Sequence, residues 1–331
     1  MNKPSPRPSR RALISLLGAA GVAATGGSWA VRSLLRPSRD EPAVFIARGQ
    51  GYAGLARTIR DGLEAVGVDA RSVRGRRVLL KPNLVEPNAR FPHATTNPAM
   101  VVAAAEVFRG WGATVIVGEG PGHMRDTDMA LLESGLGDAL DRAKLPFVDL
   151  NLDDVDWTPN LGRASRLDGL YLPRSVLSAD MVVSMPKLKT HHWIGMTCAM
   201  KNLYGVVPGA LYGWPKNVLH YAGIPRTVFD INACLPPTIA VVDAIDCMEG
   251  DGPIMGTPRS LGLVVVGNNL PAVDAMCAQL IGLEPGRLEY LALAADRLGP
   301  IDESKIAQRG EIWRGLAQRF EPPPTLRTDR A

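Results

Sequence analysis

From Ala43 onward the chain alternates short, near-continuous apolar runs with longer amphipathic stretches. AVFIAR (Ala43 to Arg48), RVLLKPN (Arg77 to Asn83), TVIVGEG (Thr114 to Gly120) and FVDLNL (Phe147 to Leu152) predict strands. Between them Ala53 to Val66, Pro98 to Gly110 with Asn97 as its cap, and Asp126 to Lys144 predict helices. A buried strand is expected at DMVVSM (Asp180 to Met185), ending at Pro186, and a short helix from Met196 closed by Gly205. Further on, the pattern gives a helix near Thr227 to Cys234, strands at Thr238 to Ile245 and Leu261 to Gly267, and helices at Ala272 to Ile281 and Leu288 to Arg297. Strands with little polar alternation, separated by helices, imply an α/β fold. The expected sheet is largely parallel and doubly wound, with helices on both faces. In such a sheet the ligand site lies beyond the carboxyl ends of the strands.

Those strand ends carry the polar chemistry. Lys81, Pro82 and Asn83 follow the second strand, and Glu119 to His123 the third. Lys187, Lys189, His191 and His192 follow the strand that ends at Pro186, where two adjacent imidazoles beside two lysines are poorly explained by core packing. Lys201 and Asn202 lie in the short helix after them, and His220 follows the Trp214–Lys216 stretch. Thr95, Thr96 and Asn97 at a helix mouth suit an anion or phosphate, while His93 is expected in an exposed loop. A polar loop is expected after Val241, carrying Asp243, Asp246, Glu249 and Asp251, with Asp243 and Glu249 facing inward for proton transfer or a hard cation. In this reading His123, His191, Asp243 and Glu249 are the catalytic candidates. Lys81, Asn83, Thr96, Lys187, Lys189, Lys201 and Asn202 would bind a cofactor or substrate anion, and His192 and His220 a metal.

Composition narrows the field. The chain has 331 residues, 46% hydrophobic, which is enough for a large core in one domain or two lobes. Residues 1–41 form a signal and spacer, 42–300 the α/β domain, and 301–331 an extension expected to be partly disordered. The net charge of +4 arises largely from arginines at the two ends, so a basic face for nucleic acid is missing from the core. Cys198, Cys234, Cys247 and Cys277 form no C-x-x-C pair, which argues against an iron–sulfur cluster or zinc ribbon. At the amino terminus Ser9, Arg10 and Arg11 precede a moderately apolar run rich in Gly and Ala. That is the arrangement of a twin-arginine export signal, implying the twin-arginine translocation machinery as a partner, a periplasmic or envelope location, and transient membrane association through this segment.

Taken together, VLLKPNLV, ATTNPAMV, VIVGEG, MPKLKTHHWIGMTCAMKNLYGVVPG, IAVVDAIDCMEGDGPIMGTP and VVVGNNLPAVDAM resemble the domain-of-unknown-function 362 family from about Arg77 to Leu298. Many members of that family carry ferredoxin clusters in an added domain, whose cysteine pattern is lacking in this sequence. A weaker similarity is to the nickel-pincer lactate racemase family. By that resemblance Lys201 and His220 hold the cofactor or its metal, and His123 and His191 exchange a substrate proton from opposite faces. The glycine run before the lysine is replaced by MTCAM, and the gap from Lys201 to His220 is longer than the family pattern.

Three classes of function follow. The first is an exported enzyme using a Lys/His/acid pocket with a bound metal (nickel or iron) or a nucleotide-like, anionic cofactor. It would carry out proton or redox chemistry on a small polar substrate, with a racemase or epimerase as one form. The second is an envelope protein that carries or matures a cofactor or metal, and the third a structural module of the envelope.

Overall fold

Among the described residues the strands are β1 (Ala43–Arg48), β2 (Arg77–Lys81), β3 (Thr114–Glu119), β4 (Phe147–Asp149), β5 (Val155–Pro159), β6 (Gly169–Pro173), β7 (Met181–Ser184), β8 (Lys187–His191), β9 (Gly195–Thr197), β10 (Thr238–Glu249), β11 (Thr257–Gly267) and β12 (Ala307–Gly310). The computed structural model describes residues 41–326 apart from 88–90, 124 and 296, so the twin-arginine signal read at Arg10 and Arg11 lies outside the described residues. Ten strands make one sheet in the order β12-β1-β11-β10-β7-β2-β3-β4, with β8 joined to β10 and β9 to β8. Along that path every neighbouring pair is parallel except the two that β11 makes, with β1 and β10. β5 and β6 form a separate hairpin.

The apolar strands are buried on both sides because each face has its own core. Leu79, Val182 and Val265 pack into one cluster with Phe229, Val273, Met276 and Leu291 from the helices Ile224–Cys234, Leu270–Leu280 and Glu289–Ala294. Their strand neighbours Val78, Leu80, Val183, Val264 and Val266 pack into the other, with Ile59, Leu63, Val101 and Phe108 from Leu55–Ala65 and Pro98–Gly110. This is the period-2 alternation of a doubly wound α/β sheet. Among the described residues no helix is long and apolar enough to cross a membrane.

Four expectations change. The helix expected over Asp126 to Lys144 is two, Thr127–Ser134 and Leu136–Ala143, because Gly135 turns to φ 69° and ends the first. The loop expected after Val241 is strand. β10 continues to Glu249 and pairs with β11 beyond a bulge at Ala244/Asp246, so Asp243, Asp246 and Glu249 sit on a ladder. Lys187 to His191, expected as residues emerging from a strand end, form β8, which resumes after Pro186 on the edge of β10. Met196 pairs with Thr190 in β9, and the helix carrying Lys201 starts only at Ala199. Beyond residue 300, β12 extends the sheet beside β1 and Phe320 is 2% exposed.

That short helix, Ala199–Asn202, is held at its amino end by a side chain from another element. Asp274 of helix Leu270–Leu280 accepts the backbone N–H of Ala199 at 2.7 Å and of Met200 at 3.2 Å, and the Tyr290 hydroxyl at 3.1 Å. Burial pushes its carboxyl up to about 7 despite these donors. Four residues of helix have little stability of their own, so the long-range cap fixes where Lys201 stands. Replacing Asp274 by Ala strands two buried amides and a hydroxyl. The expected loss is about 2–4 kcal/mol of unfolding free energy, measured by urea denaturation, with a smaller loss for Asp274→Asn.

Candidate active site

The order of the sheet locates the site before any side chain is considered. The chain runs outward from β2 through β3 to β4, then returns to lay β7 on the other side of β2. The winding therefore reverses between β2 and β7, and a crevice opens beyond their carboxyl ends. Lys81 closes β2, Glu119 closes β3, and β8 carries the chain onward from β7 past the same edge. A cavity of about 260 Å³ lies there, lined by Lys81, Glu119, Lys189, His191, Lys201 and Lys216 among others.

The buried cations around it are solvated by protein oxygen. Lys81 is fully buried and forms an ion pair with Glu119, also donating to the Pro82 carbonyl at 2.8 Å and to Asn202 Oδ1 at 3.3 Å. Lys189 donates to Asn83 Oδ1 at 2.9 Å and to the Ala94 carbonyl at 2.7 Å. Lys216, in the left-handed region at φ 70°, reaches the carbonyls of Gly120 at 3.0 Å, Gly205 at 3.2 Å and Val207. Gly205 has to be glycine, because a Cβ there would lie 2.5 Å from both Lys81 Nζ and Glu119 Oε1. Asn202 ties the network to the strands, donating to the Lys81 carbonyl at 3.0 Å and to Ser184 Oγ at 3.1 Å.

Lys201 differs. It keeps partial exposure and lines the cavity. Among the described residues its ammonium makes no hydrogen bond or ion pair, and its one described contact is the Tyr204 ring, 4.2 Å to the centroid. Burial, then the nearby Lys81 charge, brings it down to about 7. Lys216 is brought to about 7 chiefly by burial. His191 and His220 are held neutral. Burial and then Lys201 push His191 well below its usual value, and burial, Lys201 and His123 push His220 down to about 4. His191 Nδ1 accepts the Trp193 N–H at 3.2 Å, which leaves its proton on Nε2. Glu119 Oε2 is buried with no hydrogen-bond partner among the described residues.

Of the residues singled out in the sequence, His123, His191, His192, His220, Lys81, Asn83, Lys189, Lys201 and Asn202 all line this cavity. His123 stands at its exposed side, 4.0 Å from Glu86, and His192 lies 3.4 Å from Asp251. Asp243, Glu249, Lys187 and Thr96 are not in the lining. Asp243 is fully buried and takes Lys187 Nζ at 2.7 Å, the Tyr52 hydroxyl at 3.2 Å and the Asn97 N–H at 2.9 Å. Glu249 accepts the Glu321 N–H at 2.9 Å, and Thr96 bridges Asn83 N to the Met185 carbonyl. His93 is buried, 6% exposed, where a surface loop was expected. Glu119 and Lys216 were the residues passed over. Glu119 was visible as the end of a strand adjacent to the one ending in Lys81, whereas Lys216 reaches the cavity through a turn with no sequence signal.

Among the described residues no group of three or more His, Cys, Asp or Glu side chains is placed to hold a metal ion. His192 and His220 thus lack the further side-chain donors that a protein-held metal requires. The donor set fits an anion.

The depressed lysines make stability depend on pH in a defined direction. Folded, Lys201 and Lys216 release their protons near 7, while in the unfolded chain they hold them to about 10.5, so the unfolded state binds more protons between these values. Stability should therefore rise as pH increases from 7 towards 10. In Lys201→Met the rise should be shallower, as read from urea midpoints across that range.

Residues 78–279 match the family described as Domain of unknown function (DUF362). The thylakoid-associated protein sll1697 of Synechocystis sp. (strain ATCC 27184 / PCC 6803 / Kazusa) is 29% identical over 269 residues, covering 77% of this chain and 79% of that protein. The family match runs from β2 into helix Leu270–Leu280 and includes every lysine and histidine of the cavity as well as Asp274. The chain belongs to the DUF362 family.

Proposed function

We propose that this chain is an enzyme that binds a small anionic molecule in the strand-end cavity and moves a proton on it. The observation that carries this reading is Lys201, an ammonium without an acceptor among the described residues, in a cavity walled by hydrogen-bonded lysines and the neutral imidazoles of His191 and His220. An arriving carboxylate or phosphate supplies the missing counter-charge and draws a proton onto Lys201. His191 and His220, uncharged at neutral pH, are suited to accept a proton from the bound molecule. Export by the twin-arginine route is part of the reading, supported by Arg10 and Arg11 ahead of an apolar run and by the thylakoid association of the relative.

A second reading is favoured by one specific observation: His123, His191, Lys201 and His220, the positions similar to those of nickel-pincer racemases, line a single cavity. In that reading Lys201 and His220 would hold an organic cofactor carrying the metal, which would supply redox chemistry at the substrate carbon. Elemental analysis of protein from its native envelope separates the two, since this reading requires stoichiometric nickel.

Calorimetric titration with oxalate tests the first reading. Binding should be tighter at pH 6 than at pH 8 and should take up about one proton per anion near pH 7.5, seen by comparing buffers of different ionisation enthalpy. Lys201→Met should lose most of that uptake. Absence of oxalate binding at both pH values, or unchanged proton uptake in Lys201→Met, would sink the proposal.

A further inference from the structure

The cavity places its lysines in two different chemical situations. Lys81, Lys189 and Lys216 each spend their protons on fixed oxygens: Glu119 and Pro82 for Lys81, Asn83 and Ala94 for Lys189, and the Gly120 and Gly205 carbonyls for Lys216. These amines are tied down by their hydrogen-bond partners. Lys201 meets no oxygen among the described residues and rests against the face of Tyr204. Its backbone is also fixed, because Asp274 holds the start of its helix and the side chain of the next residue, Asn202, is bound to the Lys81 carbonyl and Ser184. A positioned, partly desolvated amine facing other cations has the setting in which lysine acts as a nucleophile.

We infer that Lys201 condenses with the carbonyl carbon of a small 2-oxo acid, forming an imine within the strand-end cavity. The inference rests on the anion-binding reading, which it deepens by naming the class of ligand. The lone pair of Lys201 Nζ attacks the carbonyl carbon, and the carbonyl oxygen takes up a proton to give a carbinolamine. Loss of that hydroxyl with a further proton, as water, leaves the protonated imine. No oxidant or reductant is needed. Burial, and after it the Lys81 charge nearby, keeps a sizeable share of Lys201 as free amine at neutral pH. Glu119 Oε2, an acceptor in the lining with no hydrogen-bond partner among the described residues, is available to the departing water. The carboxylate of the oxo acid is what the locked cations attract, and 260 Å³ suits a molecule of few heavy atoms. Once formed, the protonated imine withdraws electrons from the ligand and acidifies its neighbouring C–H. The neutral imidazoles then have a proton within their power to remove.

The test is reductive trapping. The full chain is incubated at pH 8 with pyruvate and sodium borohydride, and in parallel with acetone as an uncharged ketone, followed by intact mass measurement and peptide mapping. The expected result is one reduced pyruvate adduct, on Lys201, about tenfold above any other lysine and suppressed by excess oxalate, with far less from acetone. Lys201→Arg should abolish it, and the wild-type peptide map keeps the test valid should that variant fail to fold. Absence of an adduct, adducts spread over exposed lysines, or equal labelling by acetone overturns the inference. Oxalate binding without an adduct leaves the anion reading standing and removes the imine. An adduct on Lys201 without oxalate binding sustains the imine and removes proton-linked anion binding.

Discussion

Four ammonium groups that have lost their water organise the working edge of this domain. Lys81, Lys187 and Lys189 are fully buried and Lys216 is 1% exposed. A buried, unpaired charge would cost more than the fold could bear, so each has to be given oxygen by the protein. Carboxylates answer two of them, Glu119 for Lys81 and Asp243 for Lys187. Backbone carbonyls and side-chain amides answer Lys189 and Lys216, and those oxygens come from the segments that leave the strands. The loops at this edge are therefore set by charge solvation as much as by chain connection. Gly205 and the left-handed backbone at Lys216 are consequences, since one lets a carbonyl approach and the other lets the ammonium reach it.

A field built this way acts on whatever ionisable group is left without a partner. Burial, and after it like charge, disfavours the protonated form, so Lys81 helps keep Lys201 poised and Lys201 in turn helps keep His191 and His220 neutral. Fixed cations can bind, whereas neutral imidazoles and a poised amine can exchange protons. Both kinds of group share one small cavity, and this division of labour supports the proposed proton chemistry.

Much of this was legible in the sequence, for reasons that differ by element. β2, β3, β7 and β10 declared themselves as apolar runs because a parallel sheet covered on both faces leaves no polar alternation. The polar groups at Lys81, Asn83, Lys189, His191 and Lys201 were visible because a polar cluster directly after an apolar strand has few structural explanations. β8 was not legible: KLKTH lacks an apolar pattern, and it becomes a strand only because β10 offers its edge and because Asp243 and Asn83 compensate its lysines. The acids after Val241 failed for the converse reason. Their polarity suggested a loop, but Asp243 is polar in order to pair inside the domain, and Glu249 caps the backbone at Glu321. Pairings across 38 residues, such as Lys81 with Glu119, have no local signature at all.

The same constraint explains why the site sits at the winding reversal. Elsewhere along a parallel sheet, helices and their loops pack closely over the strand ends and leave no crevice. Between β2 and β7 the following segments turn to opposite sides, which opens space but also exposes strand-end carbonyls that need donors. Lysine satisfies those carbonyls and brings charge with it, so filling the backbone's hydrogen-bonding needs also lines the crevice with ammonium groups. Pro186 then lets the chain leave β7 and resume as β8 along β10, carrying Lys189 and His191 back over the opening. The helix Ala199–Asn202 closes the circuit, with Asp274 anchoring its start and Asn202 its end, so Lys201 is fixed from two elements of the other layer and the sheet together. Loosening the Asp274 anchor would leave the lysines bound to their oxygens but move Lys201, which has none among the described residues, and the cavity would keep its charge while losing the amine proposed to react.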